Sequence, residues 1–185
     1  LHRELTPFSE NEVYALMGLI LASGSPRRRQ LLEQIGLTFA VRSSDVDESV
    51  SPGLTPAQVV ESLSARKGEA VAAEAAPGDL VLSADTVVAL DGAILGKPRD
   101  RAEAEAMLTA LSGRTHQVYT GVTLLQDGRR LTGHEVTAVT FRPLSPGEIA
   151  AYVSTGEPMD KAGAYGIQGL GALLVERLEG DYFNV

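Results

Sequence analysis

The sequence contains no cysteine and no tryptophan, and aromatic residues make up only 5% of its 185 positions. Without cysteine there can be no disulfide, no thiolate metal site and no cysteine nucleophile. Few aromatic rings leave little material for stacking nucleic-acid bases. Histidine occurs only as His2, His116 and His134, which are too scattered for a convincing histidine metal site. The remaining candidates for chemistry are carboxylates, hydroxyls, amides and cationic side chains.

An excess of positive charge is also missing. Lysine and arginine number 16 against 24 aspartate and glutamate residues, a formal net charge of −8. This balance argues against a nucleic acid polymer as partner, although a few clustered cations would still suit a small phosphate-bearing substrate. No run approaches the ~18 apolar residues that span a membrane, and acidic residues among the first sixteen argue against a signal peptide. We therefore expect no membrane association and a cytoplasmic protein.

The chain is long and apolar enough for one domain, since 44% of its residues are hydrophobic. Met17 precedes a strand-like run and could be a natural start, so we interpret residues 1–16 as an N-terminal extension of uncertain origin and residues 17–185 as a single domain. Strand-like and amphipathic segments alternate, which predicts an α/β architecture with a mixed sheet. Helices are expected after Ser25, Thr55, Asp100 and Ser145, and strands over residues 18–22, 38–42, 80–90, 118–125, 131–141 and 172–178.

The first candidate site is the turn Ser23-Gly24-Ser25-Pro26 and the two arginines that follow it. Ser25 can cap the helix, and Leu31, Leu32 and Ile35 fall on one of its faces. Arg27 and Arg28 stand in the first helical turn, where the helix dipole disfavours cations unless an anion docks there. A polyphosphate would satisfy both features, whereas the alternative is two solvated arginines on a surface helix.

The second candidate is Asp85, which interrupts the apolar strand Leu80–Leu90 together with Thr86. A polar pair inside such a run costs stability unless it is paired or functional. An aspartate there could bind Mg²⁺ or take a proton from water. The alternative, an aspartate that closes a strand, is weakened because the apolar run continues to Leu90.

Four further features are weak when taken singly. Lys67 lies on the long helix, and Lys97 lies in a glycine-flanked loop that could contact phosphate. The acidic run 45–48 could supply a second carboxylate for a metal. Gln168, in the glycine-rich segment 160–169, could read a base edge through its paired donor and acceptor. Solvated charges and a flexible surface loop are the ordinary alternatives.

Six motifs in a fixed order carry a resemblance that none of them carries alone. They are Leu21-Ala22-Ser23-Gly24-Ser25-Pro26-Arg27-Arg28, Glu61 through Lys67, Ser83-Ala84-Asp85-Thr86-Val87, Leu95-Gly96-Lys97-Pro98, Leu111-Ser112-Gly113-Arg114-Thr115-His116 and residues 157–169. Together they closely resemble the Maf family of nucleoside triphosphate pyrophosphatases, also called septum formation inhibitor proteins. The resemblance extends from Met17 to Val185.

The resemblance implies a Maf/inosine-triphosphatase-like fold, an elongated mixed sheet flanked by helices around a central cleft. It implies hydrolysis of a nucleoside triphosphate to the monophosphate and pyrophosphate with a divalent cation, Mg²⁺ or Mn²⁺. The segment Asp160-Lys161-Ala162-Gly163-Ala164-Tyr165-Gly166-Ile167-Gln168-Gly169 looks like the branch that acts on dTTP and UTP. Relatives suggest a homodimer, and they continue beyond Val185, which leaves a truncated C-terminus as one expectation.

The resemblance also assigns residues to roles. Asp85 matches the proton acceptor and a metal position, and Asp47 falls where relatives carry a further acidic residue near the metal. Substrate choice is tied to Arg27, Thr86 and Gln168, and the phosphate cleft to Ser23, Arg28, Lys67 and Lys97.

Two other functions remain open at this point. One is a non-catalytic nucleotide-binding regulator of septum formation, which would share the cationic cleft but would gain nothing from a carboxylate at position 85. The other is a phosphatase that releases orthophosphate from the terminal position.

Overall fold

The structure is a computed structural model, and it describes residues 18–43 and 45–185. The predicted extension, residues 1–16, lies outside the described residues, and the division into extension and single domain stays a prediction. The strands are β1 (Leu19–Leu21), β2 (Ala40–Val41), β3 (Leu80–Leu90), β4 (Ala93–Leu95), β5 (Thr115–Gln126), β6 (Arg129–Phe141) and β7 (Val175–Glu179). The helices are α1 (Pro26–Gln34), α2 (Pro56–Ala72), α3 (Arg101–Leu111) and α4 (Pro146–Ser154).

Helix starts follow the local sequence signals. Thr55 and Ser145 each form a capping box with the residue three positions later, and Asp100 accepts a hydrogen bond from the backbone of Glu103. Ser25 stands at the expected N-cap of α1, but its side chain makes no capping hydrogen bond. Instead the Ser25 amide donates to the hydroxyl of Ser23 at 3.2 Å. The turn before α1 is therefore organised by Ser23.

The strands form one mixed sheet in the order β2-β1-β3-β5-β6-β7, with β4 paired to β3. Strand β1 runs parallel to both of its neighbours, and the other pairs are antiparallel. The register places Asp85 of β3 opposite Gly121 of β5, and Gly121 opposite His134 of β6. The predicted mixed-sheet α/β class with flanking helices is confirmed.

Hydrophobic side chains pack on both faces of the sheet. Helix α2 covers one face with Val59, Val60, Leu63 and Val71. Helices α3 and α4 belong to the larger cluster on the other face, around the fully buried ring of Phe141. The apolar positions whose spacing predicted these helices are therefore buried in the core.

Helix α1 departs from that pattern, because none of its residues is buried and Ile35 is 70% exposed. The apolar face formed by Leu31, Leu32 and Ile35 does not enter the core. Helix α1 is short and contains three consecutive arginines, so it stays at the surface. One of these arginines, Arg28, belongs to the polar site described below.

Three strand predictions needed correction. Strand β5 begins at Thr115, three residues before the predicted start at residue 118. The second strand shrinks from residues 38–42 to Ala40–Val41, and the last begins at Val175 because residues 170–174 form a 3₁₀ turn. The Asp91-Gly92 pair is a hairpin turn signal in the sequence, and hairpin strand β4 follows it, although no range was predicted for that strand. Within the described ranges, no helix combines the length and the apolar character needed to cross a membrane.

Candidate active site

Arg28 fastens the start of α1 to strand β3. Its Nη1 donates to the Ala84 carbonyl at 2.7 Å and to the Ser23 hydroxyl at 3.2 Å, and its Nη2 donates to the Thr86 hydroxyl at 3.1 Å. Burial lowers the pKa of Arg28, and the nearby Asp85 carboxylate opposes that shift. Because arginine stays protonated in proteins, a permanent positive charge stands beside Asp85.

Helix α2 approaches the sheet unusually closely. A Cβ on Gly121 would lie 2.3 Å from the Val60 carbonyl oxygen, and one on Gly68 would lie 2.5 Å from the Ser83 hydroxyl. The Ser83 hydroxyl donates to the Ser64 carbonyl at 2.7 Å, so the helix and the strand are also hydrogen-bonded. Small side chains at this contact let the neighbouring residue, Lys67, reach the middle of β3.

The Lys67 ammonium lies between two carboxylates. Its Nζ is 2.6 Å from Oδ1 of Asp85 and 2.7 Å from Oε1 of Glu48. The side chains of Lys67 and Asp85 are only 16% and 11% exposed, whereas that of Glu48 is 57% exposed. A half-exposed acidic loop thus meets a nearly buried ion pair.

The charges in this cluster stabilise one another. Burial opposes the charge on Lys67, but the hydrogen bonds to Asp85 and Glu48 raise its pKa overall. The hydrogen bond from Lys67 lowers the pKa of Glu48, and the positive charges of Lys97 and Arg28 add to this effect. Lysine 67 and Glu48 are therefore charged at neutral pH.

Thr86 belongs to the opposite face of β3 from Asp85, since side chains alternate along a strand. Its hydroxyl lies 2.9 Å from that of Thr120, and the Thr120 hydroxyl donates to the Asn184 carbonyl at 3.2 Å. Arg28 bonds to the Thr86 side chain on this face and to the backbone carbonyl of Ala84. It therefore ties the start of α1 to β3 directly beside Asp85.

The other predicted residues lie outside this hydrogen-bonded cluster. Lys97 is exposed, but its charge reaches Glu48. Arg27 extends toward the glycine-rich segment, because a Cβ on Gly166 would lie 3.4 Å from its Nη1. Gln168 is exposed in that same segment. The structure thus brings together Ser23, Arg28, Lys67, Asp85 and Thr86, while the roles of all the predicted site residues stay predictions.

Glu48 is the cluster residue that sequence reasoning missed. The acidic run was noted, but Asp47 was chosen from it by resemblance. In the structure Asp47 accepts hydrogen bonds from the amide and hydroxyl of Ser49, while Glu48 reaches Lys67. Adjacent loop residues point in different directions, and no sequence pattern distinguishes the two.

The donors at the site fit a hard divalent cation only in part. The described residues contain no group of three or more acidic or histidine side chains that could hold a metal ion. Asp85 and Glu48 nevertheless offer carboxylate oxygens beside one another, with the Lys67 ammonium between them. Because Mg²⁺ is usually held by one or two carboxylates together with substrate phosphates, this oxygen-only pair fits such an ion once a phosphate is bound.

His116 is a further buried group with a structural contact to the glycine-rich segment. It is completely buried in β5, and its Nε2 lies 2.8 Å from the Tyr165 hydroxyl. Burial lowers its pKa to about 4. The ring is therefore neutral under ordinary conditions and joins the central sheet to the segment that carries Gln168.

A hollow of about 430 Å³ lies elsewhere, between the end of α2 and the turn at Asp127. Its lining includes Ala72, Ala76 and Leu125, and none of the predicted site residues. The chemistry is concentrated in the polar cluster, not in this hollow.

The fold and the site define an α/β protein in which cations from α1 and α2 meet a carboxylate in the middle of β3. The sequence model of the family described as "Maf-like protein" matches residues 18–185. The chain is 59% identical over 169 residues to the dTTP/UTP pyrophosphatase of Moorella thermoacetica, covering 90% of this chain and 87% of that protein. It is 56% identical over 167 residues to the dTTP/UTP pyrophosphatase of Symbiobacterium thermophilum, covering 90% and 86%.

Among solved structures, the Staphylococcus aureus Ham1 protein overlaps with 67% of this chain and 71% of its own, with a TM-score of 0.49 and 17% identity. The family match and the two relatives decide the assignment. The chain belongs to the Maf family, and the predicted membership is confirmed.

Proposed function

We propose that this protein is a nucleoside triphosphate pyrophosphatase that hydrolyses dTTP and UTP. The observation that carries the proposal is the nearly buried pair of Asp85 and Lys67, with Glu48 and Arg28 beside it. The relatives named dTTP/UTP pyrophosphatases support the choice of nucleotides. Modified pyrimidine nucleotides carry the same groups and are further candidates.

The cationic residues would bind the triphosphate. Its charge repels hydroxide in solution, and Arg28, Lys67 and Lys97 would offset that charge. Arginine suits phosphate because its planar donors bind two oxygens at once. Ser23 would help by keeping Arg28 in place through the 3.2 Å hydrogen bond between them.

Substrate would also change the contacts of Asp85. Phosphate oxygens compete with the carboxylates for the Lys67 ammonium, whose flexible stem allows it to turn toward them. Asp85, thereby released from its 2.6 Å contact, would accept a proton from a water molecule. The oxygen of that water would bond to the α-phosphorus, and the bond from this phosphorus to the bridging oxygen would break. One nucleoside triphosphate and one water then become nucleoside monophosphate and pyrophosphate.

A divalent cation is part of this proposal. Asp85 and Glu48 would hold it with the substrate, and Asp47 remains the ligand predicted from the resemblance. When bound, Mg²⁺ or Mn²⁺ would neutralise developing charge on the phosphate oxygens.

Base recognition is proposed for Arg27, Thr86 and Gln168. Support for Arg27 and Gln168 comes from the shared glycine-rich segment, since Arg27 approaches Gly166, two residues before Gln168. Thr86 contacts the phosphate-side residue Arg28 at 3.1 Å, so it would couple the base and phosphate ends of the substrate.

The decisive experiment is product analysis with dTTP and Mg²⁺ or Mn²⁺. Wild type should release dTMP and pyrophosphate. Asp85→Asn should lower kcat by about 10²–10⁴-fold, the usual contribution of a positioned general base, without loss of the fold. Asp91→Asn, an exposed aspartate just beyond the same strand, is the matched control and should keep full activity.

The alternatives predict different results from the same experiment. A non-catalytic regulator would bind dTTP without turnover, and a terminal phosphatase would yield dTDP and orthophosphate. Wild-type turnover by Asp85→Asn would overturn the role proposed for that carboxylate.

A homodimer and a cytoplasmic location complete the proposal. The first is a prediction from the resemblance, and the second is a prediction from the sequence composition. Sedimentation equilibrium with and without dTTP tests the first, since a dimer has twice the mass of the chain. Fractionation of cells that express the protein tests the second.

A further inference from the structure

Glu157 holds both ends of the segment that carries Gln168. Its Oε1 accepts hydrogen bonds from the Tyr152 hydroxyl at 2.9 Å and from the Gly171 amide at 3.1 Å. Its Oε2 accepts one from the Leu170 amide at 2.9 Å. One carboxylate at the start of the segment therefore binds the backbone at its end, and residues 157–171, here called the recognition loop, form a closed loop.

Tyr152 of helix α4 connects this closure to the core. While its hydroxyl donates to Glu157, the same oxygen accepts from the Gly166 amide at 3.2 Å. Residues 166, 170 and 171 are thus fixed by two neighbouring side chains. Gln168 lies between these fixed points.

Close packing restricts the backbone conformation of the recognition loop. A Cβ on Gly169 would lie 2.6 Å from the Glu157 oxygens, and one on Gly171 would lie 2.7 Å from the Tyr152 hydroxyl. The loop backbone can therefore approach these two side chains only because glycine occupies both positions. Its path depends on Glu157 and Tyr152 staying where they are.

The recognition loop also touches the candidate active site. The Gly163 amide donates to the Gly96 carbonyl at 3.0 Å, directly before Lys97. Gly166 packs near Arg27, as its hypothetical Cβ lies 3.4 Å from that guanidinium. Tyr152 and Glu157 hold residues 166, 170 and 171, whereas the Gly163 contact beside Lys97 lies outside that part of the loop. Loss of the two side chains would therefore move the groups around the substrate's base while Arg28, Lys67 and Asp85 keep their own hydrogen bonds.

We propose that Glu157, together with Tyr152, is a positioning pair that sets the affinity for the nucleoside part of the substrate. This inference rests on the proposed function, because it assigns the recognition loop to the base of a nucleoside triphosphate. Glu157 acts through the loop and touches no reacting atom.

The carboxylate is well suited to this task. Burial opposes its charge, but the hydrogen bonds from the two amides and from Tyr152 lower its pKa overall. A glutamine in its place has one acceptor oxygen, and its NH₂ group would face an N–H donor. The glutamine side chain therefore cannot accept hydrogen bonds from the Tyr152 hydroxyl and from the Leu170 and Gly171 amides at the same time.

The test compares the binding of dTTP and of inorganic tripolyphosphate by calorimetry, which needs no turnover. The variants are Glu157→Gln and its matched control Glu105→Gln, an exposed glutamate on α3. Glu157→Gln should raise the Kd for dTTP about tenfold, the effect of losing one charge-assisted hydrogen bond. Its Kd for tripolyphosphate should stay within twofold of wild type, and Glu105→Gln should change neither.

Equal weakening of both ligands, or an unchanged Kd for dTTP, would overturn the inference, as would failure of wild type to bind dTTP. A merely structural role would not separate the two ligands. If Glu157→Gln does not fold, Tyr152→Phe removes the shared hydroxyl and is expected to give the same selective loss. Wild type that binds dTTP in this pattern but releases no pyrophosphate would contradict the proposed function and leave the positioning role standing.

Discussion

At the scale of single residues, Lys67 decides the electrostatics of the site. Its ammonium contacts Asp85 and Glu48 at 2.6 and 2.7 Å, and little of it is exposed. A buried carboxylate that loses its cation is left with an uncompensated charge. Lys97 differs because it is exposed and acts on Glu48 only at a distance.

We therefore expect Lys67→Met and Lys97→Met to have different effects. Lys67→Met should reduce both dTTP turnover and the free energy of unfolding, the latter by about 2–4 kcal/mol. Lys97→Met should reduce turnover while changing the free energy of unfolding by less than about 0.5 kcal/mol. Urea denaturation and steady-state kinetics measure the two quantities. Equal stability of the two variants would contradict the importance assigned to the buried pair.

His116 gives the protein a specific acid sensitivity. In the unfolded chain its pKa is near 6.5, and in the fold burial lowers this value to about 4. As pH falls between these values, the unfolded state binds a proton that the folded state does not, so stability decreases by about 1.4 kcal/mol per pH unit. The loss is complete near pH 4 and amounts to about 3 kcal/mol.

His116→Gln should be less stable than wild type at pH 7 but should have a smaller slope of stability against pH between 6.5 and 4. Carboxylates that titrate in this range are common to both proteins, so the difference between the slopes isolates His116. Urea midpoints at half-unit pH intervals provide the comparison. Parallel curves for the two proteins would show that His116 does not carry the effect.

At the scale of elements, helix α2 shows where sequence reasoning succeeds and where it ends. The Thr55-Pro56 pair predicted the start of a helix, and α2 begins at Pro56. The distance between this helix and the sheet was not predictable. It depends on Gly68 of α2, which contacts Ser83, and on Gly121 of β5, which contacts Val60. These contacts join residues that are far apart in sequence.

Gly121→Ala tests that distance. Its Cβ would lie 2.3 Å from the Val60 carbonyl oxygen, a backbone atom, so α2 must move away from β5. We expect a loss of about 1–3 kcal/mol in stability and a fall in turnover, because Lys67 moves with its helix. Gly133→Ala on β6 is the matched control, since no atom in the described part of the chain lies within 4 Å of its hypothetical Cβ. A stable and fully active Gly121→Ala would show that the close approach is dispensable.

Helix α1 illustrates the opposite outcome. Its proline start was predicted correctly, but its apolar residues suggested a core-facing helix, and none is buried. The tertiary role of α1 is carried by Arg28, whose guanidinium bonds to β3. A helix that serves a site is positioned by polar contacts, which hydrophobic periodicity does not report.

At the scale of the whole molecule, an acidic protein places three cationic side chains around two carboxylates. The net charge is −8, yet Arg28, Lys67 and Lys97 all act on the acidic groups Asp85 or Glu48. Because Asp85 and Glu48 offset part of the charge of these three cations, our proposal includes a divalent ion in the binding of the triphosphate. Net charge argued against nucleic acid polymers but could not locate the site.

We expect dTTP turnover to stop when EDTA removes divalent cations and to return with added Mg²⁺ or Mn²⁺. Glu48→Gln should raise the metal concentration for half-maximal activity about tenfold or more, whereas Asp47→Asn should raise it less, because Asp47 is bonded to Ser49. Metal titrations of activity compare the two variants. A larger effect of Asp47→Asn would favour the ligand predicted from the resemblance.

The sequence alone determined the family, the mixed-sheet class and the helix starts, because motifs, caps and apolar periodicity are local properties of the chain. Asp85 was recognisable for the same reason, as a charge inside an apolar strand. Tertiary structure decided that Lys67 and Glu48 meet Asp85, that α1 stays on the surface and that Glu157 closes the recognition loop. Lys67, Glu48 and Asp85 come from different segments, and only the packing of α2 against the sheet brings them within hydrogen-bond distance. The Glu157 contacts depend on the path that the recognition loop takes in the folded chain.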